Sequence, residues 1–557
     1  MSREPESRLS GWPTIAMALG LGLVFAVVWA GVRPTNFGGT DEWLYIDLAS
    51  RGVLGIPYAH RPLVLLWTLP AAACVPHTLW SYHFTHASWL FLGGWLVFAL
   101  ARRLLPRWPT LWLLAGVIDL VWAPEDFLRL DGVLLSGYSG FTFGALAAVV
   151  LFLESWFHGR ASMLVLAGVV AALTARGFEG TLALMAGAPL LLLWLERDRS
   201  PRLWRWIGTW WALMALLAAV IAWDLLGASH QGNYQVTGLG LDPHPVRVAA
   251  RVLGQFAYHL VPLVRVSPHE LATPMVGLSV VVFLIAFAIT LRLSGSDAPG
   301  PAAARELAGA ALLGALLAAL GYSLLMLSPS ILKAARTQFL SGPGIGLFLA
   351  SAIALVASRL PPRGRHLATA ALAAWIVAVG CGRTLAMQRE WDEWRSLYPR
   401  QHASLEGLTR VAPQLRPHSF VILLADGGTW PTTFTFRHAL AYLYPGRARG
   451  HAWGSHDFLY PLYLLPQGVL SAPWPVLKAA WGEGPSLYRY DEVVVVRDRG
   501  AGSCEILDEW PAQVLGPLPA GASYAPRARV VAPGTLPPSR AILRLGAGRL
   551  LPEWLGP

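Results

Sequence analysis

The sequence predicts a polytopic α-helical membrane protein with a small mixed α/β domain at its C-terminus. The 557-residue chain is 55% hydrophobic and only 13% charged, whereas about 25% of the residues of an ordinary soluble protein are charged. Long apolar runs recur up to residue 385, and none follows. The net charge is +11, but the basic residues form short clusters between the apolar runs. That pattern is typical of membrane topology and not of a nucleic-acid-binding face.

The cysteines argue against two further kinds of site. Cys74, Cys381 and Cys504 lie far apart, with no CxxC or Cys/His spacing around them. The sequence therefore encodes neither a disulfide framework nor a zinc site, and redox chemistry is not expected.

Eleven apolar runs approach the length of about 20 residues that a membrane-spanning helix needs. The runs lie near residues 13–31, 82–101, 110–124, 140–157, 161–175, 179–195, 206–226, 273–293, 306–327, 338–358 and 367–385. The first run follows a polar leader and has no small-residue cleavage site after it, so we expect a retained first helix. About eleven transmembrane helices are therefore predicted.

The basic clusters predict the orientation of these helices, because cytoplasmic loops are rich in Arg and Lys. With eleven spans, all the clusters between spans fall on the cytoplasmic side: Arg102, Arg103, Arg107, Arg160, Arg197, Arg199, Arg202, Arg205, Arg292, Arg305, Arg359, Arg363 and Arg365. The N-terminus is then cytoplasmic and the C-terminus extracytoplasmic, in an inner (cytoplasmic) membrane. Counting the apolar stretch 62–76 as a span would reverse the next loop, so its prolines predict a short interfacial or re-entrant helix.

From residue 386 the composition changes to turns, charges and short alternating segments. This composition is typical of a soluble module, with strands at 418–426, 491–498, 527–533 and 540–546 and helices at 391–412 and 434–444. We therefore expect two domains: a transmembrane module at 1–385 and an extracytoplasmic mixed α/β domain at 386–557.

Two adjacent carboxylates follow the first predicted helix. Asp41 and Glu42 lie in the first outer loop, before an amphipathic stretch. Such a pair in a sheltered loop suits a general base with an orienting or metal-binding partner. The alternative, equally favoured by the sequence, is that Asp41 is the N-cap of a helix and Glu42 lies in its first turn.

The second outer loop is also acidic. Glu125, Asp126 and Asp131 lie close together around Arg129, and carboxylate oxygens are the ligands that Mg²⁺ and Mn²⁺ prefer. A divalent-cation site is one interpretation, and an exposed charged loop is the other.

Cationic residues recur in three other outer segments. Arg176 and Glu179 are spaced as an i,i+3 ion pair at a turn, with a direct role in substrate binding as the alternative. Arg247 and Arg251 continue as a polar stripe along a predicted amphipathic helix, to meet either the phosphates of membrane lipids or a lipid-linked phosphate substrate. Lys333 and Arg336 lie at the outer mouth of a late span, where they bind phosphate or snorkel to the interface.

This layout resembles the GT-C superfamily of integral membrane glycosyltransferases, in particular the protein O-mannosyltransferases and the lipid A aminoarabinose transferases. The residues that match are Asp41 and Glu42, then Tyr45, Ala49, Gly52 and the HRPL segment from His60 to Leu63, with weaker matches at Glu179 and at the span opened by Arg336. The resemblance implies that Asp41 is the catalytic base, that Glu42 helps to bind the acceptor, and that Arg336 binds the donor phosphate. His60 and Arg61 are expected to contact substrate. The second outer loop lacks the Asp-x-Asp or Asp-x-Glu metal signature of these families.

The predicted function is transfer of a sugar from a polyprenyl-phosphate-linked donor to a glycan, lipid or protein acceptor on the outer face. A polysaccharide polymerase or O-antigen ligase that uses a polyprenyl diphosphate glycan is an alternative, because residues 227–272 contain His230, His244, Arg247 and Arg251. A transporter is a third reading, but acids are nearly absent from the middle of the spans and no inverted repeat is visible.

Overall fold

The computed structural model describes residues 12–55, 61–74, 78–122, 126–230, 242–294, 301–328, 338–425, 428–455, 460–473 and 484–533. Within these ranges the α-helices are α1 (Trp12–Ala30), α2 (Glu42–Ser50), α3 (Leu69–Cys74), α4 (Leu79–Leu104), α5 (Pro109–Val121), α6 (Gly132–Phe157), α7 (Ala161–Gly177), α8 (Leu182–Ala186), α9 (Ala188–Leu195), α10 (Pro201–His230), α11 (Pro245–Leu260), α12 (Pro268–Leu271), α13 (Pro274–Ser294), α14 (Pro301–Met326), α15 (Gln338–Ala357), α16 (Pro362–Glu390), α17 (Tyr398–Val411), α18 (Thr433–Leu443) and α19 (Ala512–Leu515). A π-helical turn, Trp391–Arg395, follows α16.

Seven helices among the described residues are long and apolar enough to cross a membrane. They are α4, α6, α10, α13, α14, α15 and α16 with the residues that continue it. Four shorter apolar segments, Thr14–Ala30, Pro109–Val121, Ala161–Gly177 and Glu179–Leu195, coincide with the other four predicted spans. The chain is a multi-pass membrane protein, and the count of eleven spans stays a prediction.

Three segments differ in detail from their predicted form. Helix α6 begins at Gly132, eight residues before the predicted start, because the Asp131 side chain caps it by accepting hydrogen bonds from two backbone N–H groups. The predicted span 179–195 is interrupted at Gly187, where α8 ends and Pro189 opens α9. In the stretch 62–76 the described helix, α3, has only six residues, which agrees with a short element rather than a span.

Small residues set the closest helix contact of the bundle, between α14 and α15. A Cβ atom added to Gly344 would lie 2.1 Å from the backbone nitrogen of Ala318, and one added to Gly314 would lie 2.4 Å from that of Phe348. The two backbones therefore touch through glycine, as is common between helices in membranes.

A buried amide network marks the end of the bundle at which the first loop lies. The Asn36 side-chain amide donates to Leu130 O at 3.0 Å and to Gln388 Oε1 at 2.8 Å, which joins the segments after α1, before α6 and at the end of α16. We call this the loop end. At the opposite end Arg103 donates to Glu154 at 2.7 and 2.8 Å, and the loop end is the one predicted to face outward.

The C-terminal residues form helices and three small sheets. The strands are β1 (Gln414–Leu415), β2 (Ser419–Leu424), β3 (Ala448–Trp453), β4 (Leu462–Leu465), β5 (Gly468–Ser471), β6 (Ser486–Tyr488), β7 (Val493–Asp498), β8 (Cys504–Ile506) and β9 (Val530–Val531). The four-stranded sheet has the order β3-β2-β7-β8, in which β2 is parallel to β3 and to β7 and β8 is antiparallel to β7. The predicted strands 418–426 and 491–498 correspond to β2 and β7.

The other two predicted C-terminal strands are not confirmed. The predicted strand 527–533 is mostly a 3₁₀ turn, Pro526–Arg529, followed by the two residues of β9. The predicted strand 540–546 lies outside the described residues, and the division into two domains at residue 385 stays a prediction.

Candidate active site

Helix α2 is buried along its length at the loop end. Every residue from Glu42 to Ala49 is buried, so α2 is a core helix and not the amphipathic stretch that the sequence predicted. The turn before it contains Gly39 at φ +69°, where an added Cβ would lie 2.6 Å from the Gln401 side chain. Only glycine fits this close, left-handed position.

Glu42 holds the turn that leads into α2. Its side chain has no exposed surface, and its two carboxylate oxygens accept the backbone N–H groups of Gly38 and Thr40, both at 2.6 Å. Glu42 therefore fixes the backbone on either side of residue 39, directly before Asp41. In this conformation Glu42 offers no surface to an acceptor, contrary to the expectation from the sequence.

Asp131 lies beside Glu42 at the start of α6. Its Oδ1 accepts the backbone N–H groups of Val133 at 3.0 Å and Leu134 at 2.9 Å. Complete burial and the neighbouring Glu42 carboxylate raise the pKa of Asp131 well above its ordinary value. Burial and a like charge at a shared site both disfavour the ionised form of Asp131.

Asp41 occupies the N-cap position of α2 without acting as a cap. Its backbone is helical, with φ −96° and ψ −3°, and its side chain accepts no capping hydrogen bond. The side chain is partly exposed, in contrast to the buried residues that follow it. The simple capping alternative therefore does not describe this carboxylate.

Arg61 and Glu179 form a two-pronged ion pair near α6. Arg61 Nε donates to Glu179 Oε2 at 2.9 Å and Nη2 donates to Oε1 at 2.5 Å, while the guanidinium stacks on the Phe178 ring at 5.2 Å. Burial lowers the pKa of Arg61, but Glu179 and the nearby Tyr138 and Tyr45 outweigh it and raise that pKa above the ordinary value. Arg61 is therefore a fixed cation.

The predicted pair of Arg176 with Glu179 does not form. Arg176 pairs with Asp224 of α10, and Glu179 pairs with Arg61. The i,i+3 pair requires both residues on one helix, but α7 ends before Glu179, where Phe178 has an extended backbone. Each residue therefore pairs with a partner from a distant part of the chain.

The polar side of α11 faces the protein from Arg251 onward, whereas Arg247 near its start is exposed. Arg251 donates to Asp242 at 2.8 Å and to Met326 O at 3.0 Å, and His259 is fully buried against Ser341, with 2.9 Å between Nε2 and Oγ. Burial lowers the pKa of His259 to about 4, so it is neutral at pH 7. Apolar side chains of α11 are exposed instead, including Val246 at 79% and Leu253 at 70%. The prediction that the whole arginine stripe meets lipid or substrate phosphates is therefore wrong for Arg251, while Arg247 remains exposed.

The metal hypothesis gains no support from the described residues. Among these ranges no group of three or more His, Cys, Asp and Glu side chains is arranged to hold a metal ion. Asp126 and Asp131 are both fully buried, and Asp131 Oδ1 is engaged by two N–H groups. Four predicted site residues lie outside the described residues: His60, Glu125, Lys333 and Arg336.

Sequence reasoning missed two features of the loop end. Asp47 of α2 is buried and pairs with His438 of α18, with 3.2 Å between Oδ2 and Nδ1, a contact across 391 positions that no sequence pattern reveals. Asp119 of α5 lines a small cavity with Arg129, Ser139 and aromatic residues. Asp119 could have been singled out from the sequence, because it is an acidic residue inside the apolar run 110–124.

The comparison with solved structures finds a structural likeness. No protein-family model matches the chain, and no curated protein matches it at a significant level. The chain is similar to the crystal structure of ArnT from Cupriavidus metallidurans bound to undecaprenyl phosphate, at 14% identity and a TM-score of 0.37, over 79% of this chain and 89% of that one.

Proposed function

We propose that the chain is a GT-C-type glycosyltransferase that transfers a sugar from a polyprenyl-phosphate-linked donor to an acceptor at the loop end of the bundle. The acceptor oxygen attacks the anomeric carbon and the bond from that carbon to the lipid phosphate breaks, with inversion. Asp41 takes the acceptor proton, and the phosphate leaves with the bonding electrons. The acceptor is a glycan, a lipid or a protein.

The observation that carries the proposal is the contrast between Asp41 and Glu42. One of the two adjacent carboxylates is buried and holds the turn, while the other is partly exposed and does not cap its helix. A general base must reach the proton that it removes, and its position must be held by its surroundings. Glu42 holds the backbone of the turn in place, and the partly exposed Asp41 side chain can be reached by the acceptor.

Cationic groups are needed where the lipid phosphate departs. The described residue best placed for this is Arg61, because Tyr45 of α2 lies close to it and Tyr138 of α6 is at 3.5 Å from its Nη1. We assign Lys333 and Arg336 to the same role.

The reaction needs no metal in this proposal. Oxygen ligands for Mg²⁺ or Mn²⁺ would have to come from carboxylates that are deprotonated and free to turn toward the ion. Burial and Glu42 disfavour the ionised form of Asp131, and its Oδ1 caps α6, so Asp131 is a poor ligand for a metal ion.

The test is a donor panel. The purified chain in lipid nanodiscs is mixed with synthetic polyprenyl-phosphate-linked monosaccharides in one arm and polyprenyl diphosphate glycans in a second arm, with a membrane extract as acceptor. The released lipid carrier, polyprenyl phosphate in the first arm and polyprenyl diphosphate in the second, is measured by mass spectrometry. We expect release from the monophosphate donors only. Release from the diphosphate arm alone, or from neither arm with folded protein, overturns the proposal.

A further inference from the structure

The turn that carries Asp41 is held by helices from the C-terminal part of the chain. Thr435 of α18 is fully buried, and its hydroxyl donates to Gly39 O at 2.8 Å with a weaker contact to Thr40 O at 3.2 Å. These two carbonyls belong to the residues directly before Asp41. Glu42 meanwhile accepts the N–H groups of the same turn, so both the donors and the acceptors of this backbone are engaged.

A second contact fixes the start of α2 just after Asp41. The Trp43 indole N–H donates to Gln401 Oε1 of α17 at 2.8 Å, and Gln401 in turn donates to Thr429 O at 3.0 Å. Trp43 and Gln401 are both fully buried. The Gln401 amide also lies against Gly39, where no side chain fits.

Two further hydrogen bonds frame this region. The Leu397 backbone N–H donates to Phe37 O at 2.8 Å, ahead of the turn. His438 contacts Asp47 near the end of α2, where Asp47 also accepts from Arg51 at 2.7 Å. The C-terminal helices therefore contact the Asp41 segment before the turn, within it, at the start of α2 and near its end.

We propose that α17 and α18 are positioning elements of the catalytic site, and that Thr435 and Gln401 set the orientation of the Asp41 carboxylate. The inference rests on the proposed function of Asp41. A hydrogen-bond donor beneath the carbonyls of residues 39 and 40 fixes the peptide plane from which Asp41 projects. A misplacement of about 1 Å in a reacting group can cost about a hundredfold in rate, so this contact acts on chemistry as well as on stability.

The test compares Thr435→Val, Thr435→Ser and a matched control. Valine keeps the shape but loses the donor, serine keeps the donor, and Thr409→Val removes a hydroxyl that bonds only within α17, to Glu406 O at 3.0 Å. With the donor that the panel identifies, we expect Thr435→Val to lower kcat by about tenfold to a hundredfold at unchanged donor KM. Thr435→Ser should recover most of the rate, and Thr409→Val should match the wild type.

Hydrogen exchange supplies an independent readout. In Thr435→Val the amides of residues 38–46 should exchange at least about fivefold faster than in the wild type, the equivalent of one lost hydrogen bond of about 1 kcal/mol. Equal exchange in both proteins, or faster exchange with unchanged kcat, overturns the positioning role. If Thr435→Val does not fold, Gln401→Met tests the same claim, since it removes the acceptor of the Trp43 indole.

The two proposals fail in different ways. If the chain is not a glycosyltransferase, no donor supports transfer, yet the exchange comparison still reports whether Thr435 holds the turn. If the positioning role is wrong, transfer still depends on Asp41 but is equal in wild type and Thr435→Val.

Discussion

The carboxyl pair of Asp131 and Glu42 should make the stability of the chain depend on pH in an unusual direction. Asp131 has its pKa raised above 3.8 by burial and by Glu42, while the unfolded chain has an ordinary aspartate. Between the two pKa values the native chain holds one more proton than the unfolded chain. The free energy of unfolding therefore falls as pH rises through this window, and above the native pKa the loss is complete.

The size of the effect follows from one proton. Each pH unit inside the window costs the native state about 1.4 kcal/mol. Asp131→Asn removes this cost, because asparagine is neutral at every pH, its oxygen still caps α6 and its amide can donate to Glu42 permanently. We expect Asp131→Asn to equal the wild type near pH 4 and to exceed it in thermal unfolding temperature at pH 8.

Thermal unfolding in nanodiscs from pH 4 to pH 8 measures this difference. Titrating groups away from Glu42 contribute equally to both proteins, so the gap between the curves isolates the carboxyl pair of Asp131 and Glu42. Asp508→Asn is the control, because it removes the same charge from an exposed ion pair with Arg527 and should not open such a gap. A constant gap between wild type and Asp131→Asn at all pH values would refute the raised pKa of Asp131.

Three further outcomes follow from the structure. Gly39→Ala should destabilise the chain more than Gly446→Ala, because both glycines have φ +69° but only at position 39 would the new Cβ meet the Gln401 amide at 2.6 Å; equal unfolding temperatures would contradict the close contact. Arg61→Lys keeps the charge but loses the two-pronged bond to Glu179, so we expect about 1.5 kcal/mol of lost stability in thermal unfolding, the low end for hydrogen bonds to charged groups. A reporter fused after residue 390 should be active only outside the cytoplasm, and a cytoplasmic signal there would reverse the loop end.

The membrane helices could be predicted because each one is a local apolar run. The ends of the helices could not be predicted as well. Helix α6 begins at Gly132, after the Asp131 cap, but the glycine and serine residues within 132–140 lower the hydropathy there and hide its first two turns. The strands β4 to β6 were missed because each has only three or four residues, and β3 was missed because its sequence, ARGHAW, contains no apolar run.

The sequence could predict which residues belong to the candidate site, but not which residues they contact. Asp41, Glu42 and Arg61 were recognisable as polar residues in a loop between apolar runs. Their partners were not, because Arg61 meets Glu179 across 118 positions and Trp43 meets Gln401 across 358. The division of labour between Asp41 and Glu42 depends on backbone direction at the turn, which side-chain spacing does not reveal.

The rate of sugar transfer by Asp41→Asn tests the central claim most directly. Asparagine keeps the size of the side chain and loses the basic carboxylate, and a general base contributes a factor of about 10² to 10⁴ in rate. We predict that the purified variant keeps the unfolding temperature and donor binding of the wild type while transfer falls by at least about a hundredfold. Transfer within a few-fold of the wild type, with the same donor and acceptor, would contradict the assignment of Asp41 as the base.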